Sequence, residues 1–387
     1  MAAGIDKLAF YTPGLALDMV ELAKARGDEP DKYTIGIGQS VQSVVPNYED
    51  VVTMGVNAAK KILTADDIAA IDMLIFATES GVDNSKSAAV FAQKLLGLSP
   101  YIRTIEMKQA CYAGTFGLMQ AKDYVNVHPD KKVLVIAADI ARYGLKTAGE
   151  VTQGAGAIAM VVSANPAIAE IEDDSVYMSQ DVPDFWRPVA STTALVDGHL
   201  STDIYKEMFL TLWTRYTEQQ KLSLADFAGF AFHLPYTKMG KKALDQILDQ
   251  ATPEQQQFLQ EQLAASQVYN RQVGNLYTGS VYLALLSLLQ RGQIAAGQRL
   301  AVFSYGSGAE AELFSLKVQE NFQSAIASQD VDGMLADRRQ LSVSEYEDVF
   351  NSQLFDYRVD VTTAGPENAG LCQFVGWQNG HRQYKMS

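Results

Sequence analysis

One order of elements occurs twice in this chain, and it limits the available folds more than any single motif does. In the first half, the apolar run IDMLIFATES (71–80) reads as a buried strand ending in Glu79. The helical stretch SKSAAVFAQKLLG (85–97) follows and stops at Gly97. Cys111 then stands just before a second helical pattern, YAGTFGLMQAKDYVN. The strands KKVLVIAADI (131–140) and GAGAIAMVVS (154–163) close the set. In the second half, GFAFHLP (229–235) is a strand ending around His233, and KMGKKALDQIL begins a helix. Asn275 precedes the helix LYTGSVYLALLSLLQ, and QRLAVFSYG and GAEAELFSLKV close that set. The alternation predicts an α/β class. The repeat is one of order and character rather than of residue identity, so these patterns alone leave duplication and chance alternation both open. Under duplication, Glu79 and His233 occupy equivalent strand ends, and Cys111 and Asn275 equivalent helix starts. Those are the places where ligands and chemistry collect in α/β sheets.

Composition narrows the function classes. With 387 residues, 48% of them hydrophobic, the chain can bury a large core without a disulfide or metal staple. A net charge of −14 argues against general binding to nucleic acid or anionic lipid, although a local basic patch can still hold a small anion. Two cysteines far apart point to a reducing, cytoplasmic compartment. MAAGIDKLAFYTPG lacks the apolar core of a signal peptide, and runs such as VYLALLSLL fall short of the roughly 20 residues of a membrane span. The four scattered histidines pair with no cysteine at ligand spacing, so no metal site is expected.

Each candidate residue has a plain reading beside a chemical one. Cys111 is either a buried structural thiol or a nucleophile whose pKa a helix N-terminus would lower, with Ala110, Ala113 and Gly114 leaving room for a carbonyl. His233 is either a hydrogen-bonded core histidine or a catalytic one. Lys238, Lys241 and Lys242 beside it are either a solvated helix face or a phosphate grip. Glu79 follows an apolar strand, so partial desolvation would raise its pKa toward general-base range; otherwise it is a solvated or paired carboxylate. FSYGSGAE offers a loose G-x-G-x-x-A, but a strand follows it where a dinucleotide fingerprint needs a helix. No P-loop and no G-x-S-x-G elbow occurs. The Pro-, Ser- and Thr-rich stretch 181–205 reads as one long structured loop.

Cys111, His233 and Asn275, in this order on repeated elements, resemble the thiolase superfamily. Within it the chain is similar to the bacterial-type 3-hydroxy-3-methylglutaryl-CoA synthase family. The matching stretches run nearly end to end: GIDKLAFYTP, IGIGQ, DMLIFATES, ACYAGTFGL, AADIARYG, TQGAGA, DFWRP, VDGHLS, AFHLPYTKMGKKAL, VGNLYTGSVYL and FSYGSGA. The resemblance implies a duplicated, five-layer αβαβα fold. Its halves span 1–165, carrying Glu79 and Cys111, and 166–387, carrying His233 and Asn275, with the weakest match after about 330.

The resemblance also implies a reaction. Cys111 takes an acetyl group from acetyl-CoA, Glu79 removes a methyl proton, and the carbanion attacks acetoacetyl-CoA. His233 serves the ketone oxygen, and water releases the product. Asn275 orients the acetoacetyl group, and the N–H groups of Cys111 and Ser307 form the oxyanion hole. Tyr143, Thr152, Asp184, Ser201, Tyr205 and Pro235 line the acyl pocket, and Lys238 and Lys242 contact CoA. CoA thioesters are substrates, no cofactor is implied, and the expected assembly is a cytoplasmic homodimer. The nearest alternative is a ketoacyl-ACP synthase III-like condensing enzyme. It makes its carbanion by decarboxylation and would not need a carboxylate such as Glu79. A degradative thiolase would be expected to use a second cysteine, whereas Cys372 lies in GLCQFVGW, outside any matching motif. A non-catalytic acyl-CoA-binding homologue would not need the full set of Cys111, Glu79, His233 and Asn275.

Overall fold

Side-chain alternation along the strands builds the layers. The computed structural model describes residues 2–353, 356–367 and 370–386. Its first half carries, among shorter elements, β1 (Gly4–Tyr11), α1 (Val51–Lys60), β2 (Ile71–Ala77), α2 (Ala88–Leu95), β3 (Arg103–Met107), α3 (Ala113–Val127), β4 (Lys132–Ala141) and β5 (Gly154–Ser163). The short strands β6 (Ala169–Ile171) and β7 (Val176–Ser179) lead into a hairpin of β8 (Phe185–Trp186) and β9 (Leu195–Val196). The second half carries α4 (Gly198–Gln220), β10 (Gly229–Phe232), α5 (Met239–Leu244), α6 (Pro253–Ser266), α7 (Ser280–Arg291), β11 (Arg299–Gly306) and β12 (Glu310–Val318). A C-terminal hairpin of β13 (Cys372–Gln378) and β14 (His381–Met386) follows.

The repeated order is a repeated topology. β4 runs parallel to β2 and antiparallel to β5, just as β11 runs parallel to β10 and antiparallel to β12. β6 bonds to both β1 and β12 and joins the halves into one ten-stranded sheet, ordered β10-β11-β12-β6-β1-β5-β4-β2-β3 with β7 on β12.

Period-2 alternation sends Ile75, Val135 and Met160 of the first half, with Leu300, Val302 and Phe314 of the second, into one core shared with α3 and α7. Their neighbours Leu74, Phe76, Leu134 and Ile136 face the opposite way, onto α1 and α2. Phe230, Phe232 and Phe303 likewise face α4 and α6. Helices therefore lie outside, between and outside the two half-sheets, which is the five-layer αβαβα arrangement. Because α3 and α7 share the central layer, the residues that precede them meet across the seam between the halves.

Two details differ from the sequence reading. Residues 181–205 are not one loop: they contain the β8–β9 hairpin, and α4 begins at Gly198, capped by Asp197, whose side chain accepts from Leu200 N–H at 3.1 Å. The C-terminal hairpin packs on the first half. Asp50, the N-cap of α1, accepts from Arg382 at 2.7 Å and from Tyr384 at 2.8 Å. Cys372 is fully buried there, and its N–H and C=O bond to the side chain of Asn57 at 2.7 and 3.2 Å, which is a structural role.

Candidate active site

Cys111 sits in the turn between β3 and α3, and three features hold it there. Ala110 adopts φ +42°, a left-handed conformation that sharpens the turn. Gly306, at the end of β11, lies so close that a Cβ would stand 2.6 Å from both Gln109 O and Tyr112 N, so the 306–308 turn touches the cysteine loop. Opposite, Gly274 has φ +90°, and its missing Cβ lets Gln153 approach. That contact seats Asn275, whose N–H donates to Thr152 O at 3.2 Å. The amide oxygen of Asn275 accepts from Tyr277 N–H at 2.8 Å and from Ser280 Oγ at 2.9 Å. Its NH2 is thereby turned toward Tyr143, with Nδ2 3.4 Å from the hydroxyl.

Glu79 and Cys111 are in contact: Sγ donates to Oε1 at 3.3 Å. Both are buried. Burial first, then the Asp139 carboxylate, pushes Glu79 up to about 8, against the opposing pull of Arg187 and the thiol. Asp139 anchors the end of β2. It accepts from Thr78 Oγ1, Glu79 N–H and Ser80 N–H on one oxygen, and from Thr278 N–H and Oγ1 on the other. The thiol does not behave as its place before a helix suggests. Burial, and next Glu79, pushes it well above its ordinary value. A helix N-terminus worth a fraction of a unit charge cannot offset a desolvated neighbouring carboxylate. The resting pair is a thiol beside a carboxyl group, not a free thiolate.

His233, just after β10, is 1% exposed, and burial pushes it down to about 3, so its imidazole is neutral. Its backbone is clamped: its N–H donates to Phe303 O at 2.8 Å, and its C=O accepts from the Tyr205 hydroxyl at 2.7 Å. Nδ1 has no protein partner among the described residues.

The remaining sequence candidates fall into three groups. Asp184 is fully buried and holds the 305–308 turn, accepting from Tyr305 OH at 2.7 Å and Gly308 N–H at 2.8 Å, with Ser307 between them. Thr152, Ser201 and Pro235 are partly exposed; Ser201 lies in the first turn of α4, one turn before Tyr205. Lys238 opens α5, and its N–H donates to Ile37 O at 3.0 Å. Lys242 Nζ donates to Tyr236 OH at 2.9 Å, whereas Lys241 is engaged with Asp245.

Three residues near the thiol were not singled out from sequence. Phe185 and Tyr277 form an edge-on aromatic trio with Tyr143, with ring centroids 5.9–6.2 Å apart, and the trio packs against Cys111. Arg187 Nη2 lies 3.9 Å from Glu79 Oε2. The signal for Phe185 and Arg187 was present in DFWRP, an aromatic–cation run inside an otherwise small and polar stretch.

Known proteins share this architecture. The N-terminal family model of hydroxymethylglutaryl-coenzyme A synthase matches residues 1–167, and the C-terminal model matches 171–257 and 247–368. The hydroxymethylglutaryl-CoA synthase of Enterococcus faecalis is 47% identical over 364 residues, 94% of each chain. A solved HMG-CoA synthase complexed with CoA superposes with a TM-score of 0.96 at 42% identity, covering 100% of both chains. A structure of MvaS in complex with 3-hydroxy-3-methylglutaryl coenzyme A gives 0.91 at 35%, covering 100% of this chain and 99% of that one.

Proposed function

The chain belongs to the hydroxymethylglutaryl-CoA synthase family, and from that premise we propose how Cys111, Glu79 and His233 divide the work. It is an acyltransferase that condenses acetyl-CoA with acetoacetyl-CoA and water to give 3-hydroxy-3-methylglutaryl-CoA and CoA, an early mevalonate-pathway step. The observation that carries the residue roles is the 3.3 Å contact between Cys111 Sγ and Glu79 Oε1.

Glu79 accepts the thiol proton as Sγ attacks the acetyl carbonyl, then passes it to the departing CoA sulfur and is again a carboxylate. The acetyl methyl is now bonded beside that carboxylate, which removes a methyl proton. The resulting carbanion attacks the ketone carbon of acetoacetyl-CoA. Neutral His233 donates its ring N–H to the ketone oxygen as charge develops there. The proton that Glu79 takes from the methyl is the one the alkoxide finally receives, so Glu79 is again a carboxylate and no net charge is created in the buried site. The N–H groups of Cys111 and Ser307 receive the thioester oxygen, and the Asn275 amide donor orients the acetoacetyl group. Water finally hydrolyses the Cys111 thioester. A decarboxylating ketoacyl synthase would give Glu79 no task.

Asp184 and Tyr205 serve the acyl pocket by holding the 305–308 turn and His233, respectively. Tyr143, Thr152, Ser201 and Pro235 border the pocket, and Lys238 and Lys242 grip CoA. We divide the halves at 165/166. A homodimer is supported by β3, an edge strand that leaves Ile105 49% exposed beside exposed Tyr101 and Phe116. A cytoplasmic location is supported by two free, buried cysteines.

Acetyl-CoA alone is expected to add one acetyl group to Cys111, seen by intact mass, and subsequent acetoacetyl-CoA to discharge it with release of CoA. An adduct that survives Cys111→Ser, or turnover only with a malonyl-acyl carrier, would overturn the reading.

A further inference from the structure

The cation facing the candidate base comes from outside the repeated elements. Arg187 follows β8, on a hairpin whose base is closed by Asp197 N–H donating to Asp184 O at 2.9 Å. Asp184 is itself bonded to Tyr305 and Gly308, and Phe185 packs edge-on against Tyr143 and Tyr277. The segment that carries Arg187 is thus fastened to both halves. Its side chain is 17% exposed, and Nη2 stands 3.9 Å from Glu79 Oε2, while Oε1 of the same carboxylate meets Cys111 Sγ. The two carboxylate oxygens have separate partners, one a cation and one the nucleophile.

We propose that Arg187 is a positioning residue of the condensation: it fixes which oxygen of Glu79 faces the acetyl-bearing sulfur, and it balances the charge of that base. The other titratable groups facing Glu79 cannot do so. Asp139 at the end of β4 is a second carboxylate, Cys111 before α3 is a thiol, and Tyr143 and Tyr277 are phenols that burial keeps neutral. Without Arg187 the base faces Asp139 with no counter-charge, and it becomes harder to ionise. A cation at this range moves a carboxylate by about 1–3 pH units.

The proposal rests on Glu79 being the base, so the experiment separates the two claims. Two quantities are measured from pH 6 to 10: kcat for condensation, and deuterium uptake from D2O into the acetyl group held on Cys111, read by intact mass. Arg187→Gln is expected to move the acid limb of both profiles up by about one unit. Exchange at pH 7 should slow about tenfold, with KM for acetoacetyl-CoA changed less than about threefold. Arg187→Lys keeps the charge and is expected to stay close to the wild-type limb. Arg187→Gln profiles that superimpose on wild type, or Lys and Gln displaced equally, overturn the proposal. If Arg187→Gln does not acetylate Cys111 at all, Arg187→Lys decides alone, and a limb displaced by a unit or more overturns it. Glu79→Gln is run alongside. Exchange that survives in it defeats the base assignment, whereas exchange lost there with an unmoved Arg187→Gln profile defeats only the role of Arg187.

Discussion

Replacing Gly306 by alanine tests whether the turn after β11 and the Cys111 loop act as one unit. The new Cβ would stand 2.6 Å from Gln109 O, 2.6 Å from Tyr112 N and 2.7 Å from Tyr112 Cβ. Two of these are backbone atoms, so no rotamer change relieves them, and ordinary contact lies about 0.8 Å farther out. The far side offers little give, because Gly306 is in register with Glu310 and Gly308 is bonded to Asp184. The 306–308 turn must therefore move away from Cys111 by most of that distance, and Ser307 N–H moves with it. Losing one oxyanion donor costs about 10²–10³ in rate, and a misplacement of about 1 Å costs a similar factor. Overpacking adds roughly 1–3 kcal/mol of destabilisation. Rapid-quench acetylation with acetyl-CoA alone, followed by intact mass, is expected to slow about 100- to 1,000-fold, with a lowered melting temperature. Acetylation within threefold of wild type would show that this turn supplies no oxyanion donor.

Glu79→Ala should slow acetylation of Cys111, with the loss partly offset because the carboxylate that helps raise the thiol is gone, while condensation, which needs the base again, falls further, by about 10²–10⁴. Condensation within tenfold of wild type would remove Glu79 as the base. Glu49 is buried at the start of α1, accepts from Tyr11 OH at 3.1 Å, and is pushed by burial up to about 7. Its folded value exceeds its unfolded one, so the folded state binds the proton more tightly, and stability falls as pH rises from about 4.5 to about 7. Glu49→Gln is therefore expected to raise the melting temperature at pH 8, by up to about 3 kcal/mol of stability, and to do little at pH 5; equal gains at both pH values would contradict this. Ala110→Gly removes a Cβ from a residue at φ +42°. It should match or exceed wild-type stability in thermal unfolding, where a mid-helix Ala→Gly would cost about 1 kcal/mol.

What could be read from the sequence follows the physics of each element. GAGAIAMVVS is strand β5 residue for residue, Gly154–Ser163, because a fully buried strand reads as an unbroken apolar run between breakers. The equivalence of Glu79 with His233 was accessible only through the repeated order, since nothing in local spacing links positions that the topology brings together. The start of α4 at Gly198 was hidden by the polar run that precedes it, although Asp197 was a usable N-cap signal. Arg187 is hard to find from sequence because the two-residue strand before it has no periodicity, and its contact with Glu79 depends on how the hairpin folds back. The direction of the Cys111 shift was unreadable for a different reason. A sequence shows that a helix begins nearby, but not that a buried carboxylate lies 3.3 Å away.

That reversed shift changes how the site works. Desolvation pushes Glu79 up to about 8, His233 down to about 3 and the Cys111 thiol up, so each of the three is moved toward its neutral form. A pre-formed thiolate would be a permanent charge in a site that already holds Asp139 and Asp184, and stabilising it would require fixed cations there. A thiol in contact with a carboxylate avoids that added charge, because a proton moves between neighbours only as sulfur attacks and the total charge is unchanged. In the proposed mechanism the same carboxylate then stands beside the acetyl methyl once sulfur carries it, so one group serves both proton transfers. The role proposed for His233 as a neutral donor fits the same balance. An imidazolium there would give its proton to Glu79 and quench the base, whereas a neutral N–H stabilises the developing alkoxide without taking part in that exchange. On this account, a mutation that introduces a fixed positive charge beside Cys111 would speed its alkylation by iodoacetamide at pH 7 while lowering the condensation plateau near pH 10, because it favours the thiolate but, once Glu79 is ionised in either protein, leaves it the weaker base. Faster condensation at that plateau in such a variant would show that thiolate formation, not methyl-proton removal, limits the reaction.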